Sequence, residues 1–138
     1  MIRVVLDTNV VVSAVASGGK PRQLLDWGVD GRFQIVVSEF ILKEVGTVLR
    51  RPKFKASEEE VSNVILTLVQ SGDVTTVTSS FEVVGEDPTD DAILNTALDG
   101  GAEILVTGDR HLLELKEFKR TKILSVSEAL MRLRPMNL

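Results

Sequence analysis

The amino-acid sequence predicts one α/β domain over residues 1–138, with helices on both faces of a mostly parallel sheet. Short runs of valine, isoleucine and leucine, typical of buried strands, alternate with longer segments that have helical apolar periodicity. The segments between strands are long enough for the helical crossovers that parallel strands require. No repeat, linker or low-complexity segment divides the chain. About five strands are expected in a three-layer α/β/α arrangement.

Each expected strand ends where a polar or turn-forming residue interrupts an apolar run. The first ends at Asp7, and the second ends at Ser38, a residue that also favours the start of a helix. The fourth ends at the segment Thr107-Gly108-Asp109. In chain order, the strands are expected over residues 2–6, 33–37, 74–77, 103–106 and 122–124.

Helices are expected between these strands because capping and terminating residues bracket each amphipathic segment. Pro21 and Pro88 suit first helical turns, and Ser57 is a suitable N-cap before three acidic residues. Pro52 ends one helix, and the glycines at 100 and 101 end another. The expected helices run from Thr8 or Asn9 to Ala14, from about Pro21, over 39–50, 58–71 and 88–98, briefly after 109, and over 127–133.

Composition limits the chemistry that the chain can carry out. It has no cysteine and one histidine, His111, which excludes thiolate nucleophiles and metal sites built on two histidines of one chain. The net charge of −4 argues against a strongly basic protein that coats nucleic acid. No uncharged run approaches the ~20 residues of a membrane span, and no signal-peptide pattern occurs, so a cytoplasmic location is expected.

Two carboxylates directly follow predicted strands. Asp7 follows the first strand and Asp109 follows the fourth. The carboxyl ends of parallel strands meet at one edge of a sheet, where α/β proteins place their functional crevices. For either residue alone, a turn or helix cap is the simpler interpretation, because aspartate is common in both.

Two further acids lie on the apolar sides of their helices. Glu44 precedes Val48 by four residues, and Asp90 precedes Ile93 by three, so each acid shares a helix side with an apolar residue. Asp91 lies about 100° further round the helix, toward a flank. An inward carboxylate costs several kcal/mol unless it is paired or binds a cation. A buried salt bridge at Glu44 and a helix-dipole interaction at Asp90 are the alternatives.

Four such carboxylates need a counter-charge if they meet. Two unit charges about 6 Å apart repel by roughly 3 kcal/mol at an effective dielectric of 20. Either some of the acids are protonated, or hard cations lie among them. Oxygen ligands without histidine favour Mg²⁺ or Mn²⁺.

The acids belong to motifs that occur in a fixed order along nearly the whole chain. These motifs are Val5-Leu6-Asp7-Thr8-Asn9, the helix from Ser38 to Glu44, Arg51-Pro52-Lys53-Phe54, Asp87-Pro88-Thr89-Asp90-Asp91, and Leu105-Val106-Thr107-Gly108-Asp109 with its continuation Arg110-His111-Leu112-Leu113. In this order and spacing, they resemble the motifs of PIN-domain nucleases, above all the VapC-related toxin components of toxin–antitoxin pairs.

The resemblance implies an α/β/α sandwich and metal-dependent hydrolysis of phosphodiester bonds in single-stranded RNA. It implies that the catalytic, metal-binding acids are Asp7, Glu44, Asp90 and Asp109, and that the metal is Mg²⁺ or Mn²⁺. Asn9, Thr107 and Asp91 would support them, with Asp91 an alternative to Asp90 as the third acid. Five basic residues could contact RNA phosphates, although solvated surface charge is the simpler interpretation of each one alone: Lys20, Arg22, Arg51, Lys53 and Arg110. The implied partners are single-stranded RNA, an antitoxin protein and a second copy of the chain, with no membrane.

Two other functions stay open at this stage. A Mg²⁺-dependent phosphoryl-transfer domain would use Asp7 as its phosphate acceptor, but Asn9 stands where such phosphatases carry a second aspartate. A non-catalytic PIN module would bind RNA or a protein, and the retention of all four acids argues against it.

Overall fold

Six strands form one sheet in the computed structural model, which describes residues 1–84 and 87–134. The strands are β1 (Arg3–Leu6), β2 (Gln34–Ser38), β3 (Gly72–Thr75), β4 (Ile104–Val106), β5 (Glu117–Phe118) and β6 (Thr121–Leu124). Their order across the sheet is β3-β2-β1-β4-β6-β5. Every pairing is parallel except that of β5 with β6. The predicted mostly parallel sheet is therefore confirmed.

The helices begin at the capping signals found in the sequence. Ser38 accepts a hydrogen bond from the backbone N–H of Ile41, and Ser57 forms a reciprocal capping box with Glu60. The helices are α1 (Thr8–Ala16), α2 (Gly19–Val29), α3 (Glu39–Leu49), α4 (Glu58–Ser71), α5 (Pro88–Asp99), α6 (Arg110–Leu115) and α7 (Val126–Leu133). None of the helices in the described ranges combines the length and the apolar character needed to cross a bilayer.

The crossovers arrange the helices in two layers. α1 packs on α2 and α3, α2 packs on α4 and α7, and α3 packs on α4, whereas α5 packs on β1, β2 and β4. The chain moves one way across the sheet from β1 to β3 and the other way from β3 through β4 to β6. Right-handed crossovers therefore put α5 on the face opposite α1–α4. The result is the predicted three-layer α/β/α sandwich.

The central strands are buried on both faces, which explains their unbroken apolar runs. Val4, Val5, Val36 and Leu105 expose none of their surface. Side chains from both helical layers complete the core, among them Leu24, Ile41, Leu49, Leu68, Ile93, Leu94 and Leu112. The sheet is therefore a rigid base for the loops at its carboxyl edge.

Two strands differ from the prediction. β3 begins at Gly72 and ends at Thr75, two residues earlier than predicted, because the chain passes directly from α4 into the sheet. A Cβ atom at Gly72 would lie 2.6 Å from the Leu68 carbonyl oxygen, so this junction requires glycine. β5 was not predicted, because two residues are too short to show a strand pattern. It pairs with β6 through a turn in which Lys119 has a positive φ of 55°.

Candidate metal centre

The predicted acids lie at the carboxyl edge of the sheet, where the chain reverses direction between β1 and β4. β2 and β3 lie on one side of this point, and β6 and β5 lie on the other. Asp7 follows β1, and its backbone N–H donates to the carbonyl oxygen of Val106 in β4, at 2.9 Å. In open α/β sheets, a crevice forms at such a switch point.

Thr107 connects the two acids that follow β1 and β4. Its hydroxyl donates to Asp7 Oδ2 at 2.7 Å and accepts the backbone N–H of Asp109 at 2.9 Å. Asp109 Oδ1 in turn caps α6 by accepting the N–H of His111 at 2.8 Å. These bonds fix both carboxylates and leave one oxygen of each outside the network. The Thr107 hydroxyl therefore lies between Asp7 and Asp109, and its supporting role in catalysis stays a prediction.

The first turn of α5 brings another carboxylate to the same place. Asp90 is 4% exposed, and its Oδ2 atom is buried with no hydrogen-bond partner among residues 1–84 and 87–134. Oxygens of Asp87, Asp90 and Asp109 all lie within 4.8 Å of one another. Asp87 was predicted only as the start of this helix, yet it belongs to the most compact group of acids in the crevice.

Glu44 approaches the crevice from α3. The Ser38 hydroxyl, at the start of this helix, lies 2.8 Å from the hydroxyl of Thr96 in α5, which donates to the Ala92 carbonyl. This bond links α3 with α5 and so helps to fix Glu44 relative to Asp90. Glu44 is partly buried and carries no salt bridge within the described part of the chain, so the alternative of a buried ion pair finds no support.

Burial and repulsion from neighbouring acids raise the pKa values of three carboxylates in the crevice: Asp7, Glu44 and Asp90. Burial raises the pKa of Asp7, and the nearby Asp109 adds to this effect, while the Thr107 hydroxyl opposes it. Burial followed by repulsion from Asp109 and Asp87 raises the pKa of Asp90 to about 7. Burial also raises the pKa of Glu44, with the Thr8 hydroxyl opposing the shift and Asp7 adding to it.

This arrangement fits a divalent cation. The donors are carboxylate oxygens, which Mg²⁺ and Mn²⁺ prefer. The buried Oδ2 atom of Asp90 has no hydrogen-bond donor in the described part of the chain. The crevice concentrates negative charge. The charge of Arg51 lowers the pKa of Glu44 but does not cancel the increase that burial causes. A cation with two charges would relieve both the repulsion and the unsatisfied oxygen.

Six other predicted site residues are exposed. Asn9 is exposed in the first turn of α1. Lys20 Nζ lies 3.4 Å from the Ser127 hydroxyl on α7, and Arg22 pairs with Asp26 along α2. The other three residues predicted to contact phosphates are also exposed. Arg51 and Lys53 follow the end of α3, and Arg110 follows Asp109.

The side chain of Asp91 makes different contacts from that of Asp90, although both residues lie in the first turn of α5. Its Oδ1 atom accepts the backbone N–H groups of Val83 and Val84, at 2.9 and 2.7 Å. It therefore holds the segment 78–84, which we call the strap, against α5. Asp91 takes no part in the compact group of acids formed by its neighbour with Asp87 and Asp109.

Two further residues of α5 hold the strap. Asn95 exchanges two 3.0 Å hydrogen bonds with the backbone of Phe81. Asp99 accepts the N–H groups of Thr78 and Ser79, at 2.7 and 2.8 Å. Together with Asp91, they are spaced four residues apart on one side of the helix. Sequence analysis missed this row, although its four-residue spacing on a helix with an opposite apolar side was visible.

Substitution of Asp99 by alanine is expected to destabilise the protein by about 1.5–3 kcal/mol, because two backbone N–H groups and the Ser79 hydroxyl lose a charged acceptor. Urea denaturation would measure this change. Asp26→Ala is the matched control, since its exposed pair with Arg22 contributes less than about 1 kcal/mol. Equal effects of the two substitutions would show that the bonds between Asp99 and the strap stabilise the protein no more than an exposed ion pair does.

Comparison with known proteins identifies the family. A PIN-domain model matches residues 3–111. No curated protein matches the chain. Among solved structures, VapBC2 from Rickettsia felis, bound to a DNA fragment from its promoter, is 16% identical with a TM-score of 0.63, covering 90% of this chain and 98% of that chain. PAE2754 from Pyrobaculum aerophilum is 20% identical with a TM-score of 0.66, covering 96% of this chain and 89% of that chain.

At these identities, the structural likeness concerns the fold. The family match is the stronger finding, because it spans most of the chain and includes all the strand-edge and helix acids described above. The chain belongs to the PIN-domain family.

Proposed function

We propose that the protein is a metal-dependent endoribonuclease that hydrolyses phosphodiester bonds in single-stranded RNA, and that it is the toxin of a toxin–antitoxin pair. The observation that supports this function best is the convergence of buried acids at the crevice, where an oxygen of Asp90 has no partner among the described residues. Membership of a nuclease family supports the same reaction class.

A bound Mg²⁺ or Mn²⁺ supplies the Lewis acidity for phosphodiester hydrolysis. Asp7, Asp90 and Asp109 would hold the cation. The Thr107 hydroxyl fixes Asp7 and Asp109 relative to each other. Glu44, on the opposite side of the crevice, orients the attacking water. His111 is exposed and the chain has no cysteine, so a one-step hydrolysis without a covalent intermediate suits these residues.

Basic residues near the acids bring the RNA backbone to the crevice. Arg51 is close enough to Glu44 to affect its pKa, and Arg110 directly follows Asp109. Arg110 Nε lies 3.9 Å from Glu114 on the exposed side of α6, a weak pair that a phosphate can replace. Phosphate contacts of this kind position a substrate without reading its sequence.

The fold likeness to VapBC2 supports an antitoxin protein as one partner. An antitoxin protein binds the chain and blocks the crevice, and a second copy of the chain forms a homodimer. The proposed location is the cytoplasm, where the RNA substrate is found.

A cleavage assay tests the proposed function. The purified chain, supplied with Mn²⁺ or Mg²⁺, is expected to cut single-stranded RNA and to leave single-stranded and duplex DNA intact. EDTA should abolish the cleavage, and excess Mn²⁺ should restore it. RNA binding without cleavage under every metal condition would favour the non-catalytic PIN module instead.

A further inference from the structure

We propose that Asp87 is a fifth carboxylate of this centre and that it ligates a divalent cation together with Asp90 and Asp109. The inference rests on the proposed function, because it concerns the cation of the same site. It adds a ligand from the N-cap of α5, a position that sequence analysis assigned only to the start of a helix.

The first support is geometric. Asp87 and Asp90 come from the start of α5, Asp109 comes from the start of α6, and one oxygen of each lies within 4.8 Å of the other two. Ligands about 2.1 Å from an octahedral cation lie about 3.0 to 4.2 Å apart. Small side-chain rotations would therefore bring all three oxygens onto one ion. Asp7 and Glu44 lie outside this compact group.

The second support is an unsatisfied atom in the same group. The Oδ2 atom of Asp90 is buried and finds no donor within the described ranges. Buried carboxylate oxygens are normally paired with a donor or a cation. The neighbouring carboxylates of Asp87 and Asp109 are acceptors and cannot satisfy it unless one carries a proton. A cation among the three would offset their repulsion and would supply a counter-charge to the Asp90 carboxylate, which carries this oxygen.

Helix capping alone does not explain the carboxylate at position 87. Asp87 Oδ1 accepts the N–H groups of Thr89 and Asp90, at 3.0 and 3.3 Å, which is the capping role. Asparagine or serine would cap the helix about as well without placing a negative charge beside two others. The cation ligand role accounts for the charge, and the capping role accounts for one oxygen.

Titration of the full-length chain with Mn²⁺ alone tests this assignment, with free Mn²⁺ followed by electron paramagnetic resonance. Asp87→Asn and Asp87→Ser both keep a capping oxygen and remove the charge. Each is expected to bind Mn²⁺ at least about tenfold more weakly than the wild type, since ligand charge controls the affinity of such sites. Asp26→Asn, which removes an equal charge from the exposed face of α2, is expected to bind like the wild type.

Thermal melting in EDTA separates ligation from folding. Both Asp87 variants are expected to melt no lower than the wild type, and a loss of folding in both would assign Asp87 a capping role only and overturn the inference. Mn²⁺ affinities within about twofold of the wild type would also overturn it, while metal-dependent RNA cleavage by the wild type would leave the proposed function standing. Conversely, weaker Mn²⁺ binding by both variants without RNA cleavage by the wild type would support the ligand and contradict the nuclease.

Discussion

Asparagine in place of Asp7 is expected to reduce the cleavage of single-stranded RNA by about a hundredfold or more, because even the loss of a residue that only supports a metal ligand costs about 10–100-fold. The substitution is nearly isosteric. Its carbonyl oxygen still accepts the Thr107 hydroxyl, which donates to Asp7 Oδ2 at 2.7 Å in the wild type. What disappears is the negative charge at the end of β1, one of the charges proposed to hold the cation.

Stability measurements show whether this loss is chemical or structural. Because burial raises the pKa of Asp7, its ionised carboxylate destabilises the metal-free native state at neutral pH. Asp7→Asn is therefore expected to be at least as stable as the wild type in EDTA. It should also gain less stability from Mn²⁺.

Single-turnover cleavage assays, together with urea denaturation in EDTA, check both expectations. Asp73→Asn is a suitable control, because it removes the same charge from an exposed residue that pairs with Arg3 and lies outside the group of acids. Cleavage by Asp7→Asn at the wild-type rate would assign the activity to a contaminant or to another site.

Local sequence patterns predicted most of the fold, because strands, helices and caps are encoded over short distances. The two-residue strand β5 escaped prediction because its pairing depends on the Lys119 turn rather than on an apolar run. For the same reason, β3 was predicted two residues too late. Its start depends on the close approach of Gly72 to the end of α4. Contacts between elements, rather than local propensity, decide these bounds.

Helix phase also carried information about the crevice. It distinguished an inward Asp90 from a flanking Asp91, and the structure places the first beside Asp109 and the second against the strap. Whether Asp90 binds a metal stays a prediction. The phase argument worked because both residues share one regular helix, whose side-chain directions follow from its 3.6-residue turn.

The contribution of Asp87 could not be predicted in this way. An aspartate before a proline is a common helix start, so its local pattern is already explained. Its approach to Asp109 depends on where α5 and α6 begin relative to each other, across 22 residues of chain that include β4. The strap escaped for a similar reason, because its bonds use backbone N–H groups that any sequence supplies.

The metal-free protein is expected to become more stable as the pH falls from about 8 to about 5. Burial, Asp109 and Asp87 raise the pKa of Asp90 to about 7, from 3.8 in the unfolded chain, and the pKa values of Asp7 and Glu44 are also raised. Between these limits the native state binds more protons than the unfolded state. The contribution of these acids to stability is therefore fully present below the unfolded pKa and is lost as the pH rises through 7. A change in the free energy of unfolding of more than about 1.4 kcal/mol, the value of one pKa unit, is expected.

Below about pH 4, stability should fall again. The hydroxyl and N–H of Ser79 lower the pKa of Asp99, so its bonds to the strap weaken when that carboxylate takes up a proton. Urea denaturation in EDTA at several pH values measures the free energy of unfolding in both pH ranges. Asp90→Asn is the control, because it is expected to reduce the change between pH 5 and 8 while leaving the loss of stability below pH 4 unchanged.

Mn²⁺ should reverse the slope at neutral pH, because a cation and protons compete for the same oxygens. At 100 times its dissociation constant, an ion that binds only the native state adds about 2.7 kcal/mol of stability. The gain should be largest at pH 8, where the acids are ionised, and should shrink toward pH 5. A metal-free profile that is flat across this range, or a Mn²⁺ gain that does not change with pH, would mean that the acids do not share a site. In that case, the buried oxygen of Asp90 would need another explanation.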